Sequence, residues 1–181
     1  EAFKAELAGY QAKAMRTLAF ACQPEGSARP VMAGITGIAD PVREDVKEAV
    51  ETCMKAGVRV IMVTGDVAAT AMEIGRQLGL TGNGENLCLT GAEFAAMPDK
   101  KVLELLPDLR ILSRARPEDK ARLVSLLQQC GEVVAVTGDG TNDALALKKA
   151  QVGLSMGDGT ARAKEVSDIT ILDNSFTSIN K

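Results

Sequence analysis

The stretch EVVAVTGDGTNDALALKKA, residues 132–150, decides how the rest of the chain is read. EVVAV is an apolar strand, Thr-Gly-Asp breaks it, and NDALALKKA has helical spacing. A near copy stands at residues 58–66, where VRVIMV runs into Thr-Gly-Asp and then into VAATAMEIGRQLG (67–79), a helix closed by Gly79. Working outward, VMAGITGI (31–38), NLCLT (86–90), RILSR (110–114), VGLSM (152–156) and DITIL (168–172) read as strands. PVREDVKEAVETCMKA (41–56), PEDKARLVSLLQQC (117–130) and TARAKEVS (160–167) read as helices, the first with Pro41 at its first position and Gly57 after its end. Shorter helical stretches lie near Glu93 and Leu103. Strands of near-continuous Val, Ile and Leu are buried on both faces, as in a parallel sheet covered by helices. The expected fold is therefore α/β, a doubly wound, mostly parallel, Rossmann-like sheet, with its chemistry at the carboxyl ends of the strands. Ahead of this unit lie a helical segment (1–16) weakened at Gly9, a short strand TLAFAC (17–22), and a turn from Pro24 to Pro30.

Composition removes whole classes of function. The 181 residues make one domain with at most an appendage, at about 150 residues per domain. With 46% hydrophobic and 25% charged residues the chain can bury a core. Four Phe, one Tyr and no Trp leave little for stacking on bases, and 21 Lys and Arg against 24 Asp and Glu give a net charge of −3, so no nucleic-acid partner is expected. Histidine is absent, which excludes Ser-His-Asp and Cys-His catalysis and every zinc site that needs imidazole. Cys22, Cys53, Cys88 and Cys130 form no C-x-x-C pair and read as reduced, small apolar residues. The longest apolar run, Leu18 to Cys22, is far short of the roughly 20 residues of a membrane span. The chain opens with Glu1 rather than Met, and it is expected to be a piece of something longer.

The two Thr-Gly-Asp strand ends are the candidate site. An Asp just past a parallel strand, beside a Gly that lets amides approach, suits a hard cation and phosphate. Either copy alone reads equally well as a strand-to-helix turn with Asp as the helix cap. Two copies in one sheet, the second continuing as GDGTND, favour chemistry. Asp143 follows Asp139 by four residues with Asn142 between them, so both carboxylates can face one cation. RARPEDK (114–120) adds Lys120 at the start of a helix, a compact charge suited to a transferring phosphoryl group. MGDGT (156–160) lacks the Lys of a Walker motif and reads as a turn.

Taken together, VTGDGTNDALALKKA (136–150), MVTGD (62–66), GIADPVRE (37–44), RARPEDK (114–120) and SMGDGTARAKEVSDITILDNSFTSI (155–179) resemble the phosphorylation domain of P-type cation-transporting ATPases, a haloacid-dehalogenase-like fold. The resemblance runs in order through residues 31–181, and residues 1–22 look like the tail of the nucleotide-binding domain that this family inserts there. It implies roles by matching position. Asp139 resembles the Mg2+ ligand, with Asn142 and Asp143 supporting the metal and the phosphorylated site. Thr64 and Gly65 match the pair that holds the phosphoryl group, Asp66 closes that loop near the nucleotide, and Lys120 balances the charge of an aspartyl-phosphate. Asp40 and Pro41 match the hinge where the nucleotide domain rejoins. The resemblance further implies ATP as substrate, actuator, nucleotide-binding and transmembrane domains in the same parent chain, and a place on the cytoplasmic face of a membrane. The Thr of GDGTND and Val42 in place of a second Pro are the pattern of plasma-membrane-type calcium pumps, so Ca2+ is the expected cargo. Leu145 stands where most members have Pro.

One departure is larger. The family's nucleophile, the Asp of a D-K-T-G-T motif at the end of the first, central strand, occurs nowhere in these residues. The chain is therefore expected to lack that strand, to be unable to form a phosphoenzyme alone, and to be either partly unstable or completed by a replacement strand from its N-terminal segment or a neighbouring chain. Two other readings remain open on sequence: a soluble phosphohydrolase of the same fold, which would need its own D-x-D motif, and a catalytically silent binding module.

Overall fold

A computed structural model describes residues 2–13, 15–39, 42–81 and 87–180. The chain begins with helix α1 (Ala2–Ala12), then strand β1 (Arg16–Cys22) and strand β2 (Val31–Ile38), which pair antiparallel. There follow α2 (Glu44–Lys55), β3 (Met62–Val63), α3 (Ala68–Gln77), β4 (Leu87–Thr90), α4 (Gly91–Ala96), α5 (Asp99–Leu105), β5 (Leu109–Ser113) and α6 (Pro117–Gln129). The last third is β6 (Ala135–Gly138), a 3-10 turn (Thr141–Asp143), α7 (Ala144–Lys149), β7 (Val152–Met156), α8 (Ala161–Val166), β8 (Ile169–Ile171) and a second 3-10 turn (Phe176–Asn180).

Among the described residues the strands form three sheets: the β1–β2 ribbon, a parallel sheet in the order β3–β5–β4, and a parallel sheet in the order β6–β7–β8. The fold is thus α/β with parallel strands, as expected, but the parallel set is divided in two. One core joins the halves. Leu109 and Leu112 of β5, Leu123, Val124, Leu126 and Leu127 of α6, and Val134 and Ala146 beyond it form one buried cluster, with Val63 and Val136 packed against it. Because α6 lies against both sheets, its apolar face holds the two halves together; each such side chain contributes about 1.5–3 kcal/mol when fully buried. A smaller cluster of Val50, Leu78 and Leu80 covers the other face of β3 and takes in Phe176 from the C-terminal turn.

Two expectations need correction. VMAGITGI was read as the first strand of the parallel set, yet β2 runs antiparallel to β1 from Arg16↔Ile38 to Cys22↔Val31. Strand order depends on non-local pairing, which the local pattern does not carry. The apolar run at β6 was read as buried on both faces. Val134 and Val136 do enter the core, but Val133 is 81% exposed and Ala135 and Thr137 are exposed too, so β6 is covered on one face only. Among the described residues no strand pairs with β6 on the side away from β7 to bring a second covering layer. The β1–β2 ribbon does not supply it. Tyr10 of α1 packs over Gly37 on one face of that ribbon, while Leu18, Phe20 and Ile38 on the other are about half exposed.

Candidate active site

The first Thr-Gly-Asp loop is built by its neighbour β5. Thr64 donates its N–H to Leu112 O (2.9 Å) and accepts at its own carbonyl from Ala115 N (2.9 Å); Asp66 O accepts from Arg114 N (2.9 Å). Within the loop, the Thr64 hydroxyl donates to Asp66 Oδ2 (3.0 Å) and accepts from the Asp66 N–H (3.1 Å). The other Asp66 oxygen takes Arg16 Nη2 of β1 at 3.0 Å. Gly65 is exposed at the loop tip.

From Arg114 the chain runs straight to the second loop. Arg114 holds a left-handed backbone (φ 48°), uncommon for a side chain of this size, which turns the strand end toward α6. The buried Asp119 carboxylate accepts the Arg116 N–H at 2.9 Å and caps the helix behind Pro117. Lys120, in the first turns of α6, reaches Asp143 with Nζ to Oδ1 at 2.6 Å, the two side chains being only 16% and 14% exposed. Asp143 Oδ2 accepts the Gly140 N–H at 3.2 Å. Seven residues, 114–120, therefore connect the two loops through hydrogen bonds.

Close backbone approach fixes the second loop. A Cβ on Gly138 would lie 2.5 Å from Asp143 Cβ, so only glycine lets this carboxylate sit over the strand end. The MGDGT turn braces the same loop from outside: Thr160 donates its N–H to Asp139 O (2.7 Å), and a Cβ on Gly159 would lie 3.0 Å from that oxygen. Asp139 and Asn142 are exposed at the carboxyl end of β6. Asp40 and Pro41, the expected hinge pair, lie outside the described residues. The structure thus gathers Thr64 with Asp66, and Lys120 with Asp143, at the carboxyl ends of parallel strands.

Sequence reasoning missed four contributors. Arg16, Arg114 and Thr160 act through the contacts above; Arg114 and Thr160 lie inside RARPEDK and MGDGT, but the reading of those motifs gave neither residue a role. Arg116 joins Arg114, Thr90, Val67, Ala68 and Ala92 in lining an open cleft of about 590 Å3 beside the first loop. Two exposed guanidinium groups make that cleft attractive to anions.

Among the described residues no three His, Cys, Asp or Glu side chains converge. A closed all-protein metal cage is therefore not what these residues build. Asp139 and Asp143 offer hard carboxylate oxygens on one loop, and such a set suits Mg2+, which binds through one or two carboxylates and keeps waters and a phosphate as its other ligands.

Residues 11–151 match the haloacid dehalogenase-like hydrolases. Over 99% of its length the chain is 44% identical to calcium-transporting ATPase 2 of Schizosaccharomyces pombe, covering 16% of that protein. It is 50% identical to calcium-transporting ATPase PAT1 of Dictyostelium discoideum over 82% of this chain and 13% of the relative. It is 49% identical to the plasma membrane-type calcium-transporting ATPase 7 of Oryza sativa over 81% of this chain and 15% of the relative. The chain thus spans less than a fifth of these relatives' length. In fold it is similar to a crystal structure of a zinc-transporting PIB-type ATPase in the E2.Pi state, with a TM-score of 0.70 and 24% identity over 99% of this chain and 24% of that one.

Proposed function

The chain belongs to the haloacid dehalogenase-like hydrolase family, and we propose that these residues are the phosphoryl-handling part of an ATP-driven P-type calcium pump. Residues 31–181 are then most of its phosphorylation domain and residues 1–22 the tail of its nucleotide-binding domain. The identity to calcium-transporting ATPases over 81–99% of the chain supports the family reading. The observation that carries the chemistry is the largely buried Lys120–Asp143 pair, tied through residues 114–120 to Thr64 and Asp66.

In this reading Thr64 and Gly65 receive the phosphoryl oxygens, with hydroxyl and backbone amide donors placed at a strand end. Lys120 offsets the charge of the phosphorylated carboxylate, and Asp143 keeps Lys120 in place between turnovers. Arg114 and Arg116 give the cleft the positive charge that an ATP polyphosphate needs. Asp139 and Asp143 are the residues that would hold Mg2+, which supplies charge neutralisation at the transferring group. The partners are the remaining domains of the same polypeptide (nucleotide-binding, actuator and transmembrane), with Ca2+ as cargo and the cytoplasmic face of a membrane as location. No described helix is itself long and apolar enough to cross a membrane.

The test uses the intact protein in its native membrane, given ATP labelled at the γ-phosphate with Ca2+ or with a chelator. The expected result is acid-stable, hydroxylamine-sensitive label that requires Ca2+ and is abolished by Asp139→Asn. Label that follows a different cation overturns the choice of cargo. No label under any cation overturns the pump and favours a soluble phosphohydrolase.

A further inference from the structure

Asn174 joins two parts of the chain that lie far apart in sequence. It follows the end of β8 by three residues and holds a left-handed backbone (φ 55°), which asparagine tolerates better than most side chains. This turn sends its two polar ends to different elements. The side-chain Oδ1 accepts the Asp158 N–H at 3.0 Å, and the backbone carbonyl accepts Arg43 Nη2 at 2.9 Å. An N–H only donates, so the Asp158 amide fixes which end of the Asn174 side chain faces it.

Asp158 belongs to the MGDGT turn, two residues before the Thr160 N–H that donates to Asp139 O at 2.7 Å. The turn is pressed onto the segment after β8. Gly157 N–H donates to Ile171 O at 2.8 Å, and a Cβ on Gly157 would lie 2.8 Å from Leu172 O. On the far side, Arg43 is the residue just ahead of α2 and stands three positions after Asp40. Its Nε meets Asp45 Oδ1 at 3.4 Å, which orients the guanidinium toward Asn174. Ser175 Oγ makes a separate bond to Asp45 Oδ2 at 3.3 Å. From Arg43 to Asp139 the path thus runs through hydrogen bonds of 2.9, 3.0 and 2.7 Å.

We propose that Asn174 is a positioning residue for Asp139, acting through the 156–160 turn, and that Arg43 sets where Asn174 stands. The pair thereby tunes the affinity of the Asp139 loop for a divalent cation. The bond at Asp139 O holds the loop backbone, and groups that orient a ligand from behind set how well it binds a metal. Asn174 is suited to the task because one residue, in one turn, bonds both neighbours. Since residues 37–44 carry the expected junction with the nucleotide-binding segment, a displacement of that junction reaches the cation site along this path. The inference deepens the function proposed above and rests on Asp139 as the Mg2+ carboxylate, but its first readout needs no metal and no phosphorylation, so either can fail alone.

The test follows amide hydrogen exchange residue by residue in chain 1–181, first without metal and then through a titration with Mg2+ alone. Asn174→Gly keeps the left-handed backbone and the carbonyl but removes Oδ1; Arg43→Met keeps the apolar stem and removes the donor. Each should leave the melting temperature within a few degrees and speed exchange at Thr160 by about tenfold or more. Each should also weaken Mg2+, read at the Gly140 amide, by about threefold or more. The double variant should be no worse than either single one, because both cut the same path. Asn174→Asp, which keeps an acceptor, should restore the parent's values. Ser175→Ala cuts the adjacent bonds to Asp45 and Thr177, leaves both of Asn174's, and should change neither readout. Unchanged exchange at Thr160, or faster exchange with Mg2+ affinity unchanged, overturns the proposal. So does an equal effect of Ser175→Ala, which marks a general loosening of the segment. No Mg2+ response in the parent chain refutes the metal reading of Asp139, and exchange at Thr160 alone then decides the positioning. Should Asn174→Gly not fold, Arg43→Met decides.

Discussion

Asp143 is held from three sides: by Lys120 Nζ, by the Gly140 N–H, and by the bare Cα of Gly138 beneath it. Gly138→Ala drives a methyl group to 2.5 Å from Asp143 Cβ, and it should cost about 1–3 kcal/mol in urea unfolding. Gly65→Ala is the control. Nothing lies within 4 Å of its Cβ position and its φ is not positive, so it should change stability by less than about 1 kcal/mol. Equal costs for the two would count against a close approach at Gly138. Both halves of the Lys120–Asp143 pair were legible, since RARPEDK and GDGTND each single out one of them. Their union was not, because they are 23 positions apart and meet only when α6 packs beside the second loop. Arg16 gave no local sign at all; its role exists only once β1 is beside the first loop.

At the scale of elements, α3 carries a surface cluster with a defined pH signature. Glu73 accepts from Arg76 Nε (2.9 Å) and Nη2 (2.6 Å) and from Gln77 Nε2 (2.9 Å). The Arg76 hydrogen bonds, followed by that of Gln77, pull its carboxyl from the ordinary 4.5 to about 2. A carboxyl depressed on folding stabilises fully above its unfolded value and loses that contribution as pH falls through its folded value. The stability difference between the parent and Glu73→Gln should therefore hold above pH 4.5 and shrink between 4.5 and about 2. The carboxyl carbon of Glu73, followed by NMR, should titrate near 2; a midpoint at the ordinary value would sink the argument. Element order was largely legible, because Val- and Ile-rich runs alternate with amphipathic stretches closed by glycines such as Gly57, Gly79 and Gly131, all with positive φ. What misled was coverage. VRVIMV and EVVAV look alike in sequence, but β3 is covered on both faces and β6 on one, a difference made by what lies alongside them.

For the whole molecule, the family and the parallel α/β architecture could be read from the joint occurrence of five motifs, whereas the division of the parallel strands into two sheets followed only from a motif's absence. That absence has a chemical consequence. Chain 1–181 given labelled ATP or acetyl phosphate should acquire no acid-stable label, since no carboxylate in it follows a central strand and precedes Lys-Thr; stable labelling of any Asp would refute this.

Helix α6 has a mechanical side. It carries Lys120 near one end and Leu126 and Leu127 near the other, and it is the element that both sheets lean on. Thirteen residues make a rod about 20 Å long, so a tilt of about 10° about its far end swings the near end by about 3 Å, enough to break the Lys120–Asp143 contact. The pair is thus a gauge as well as a clamp: it reads the angle between the two sheets and converts a small rotation of one against the other into the presence or absence of a positive charge at the site.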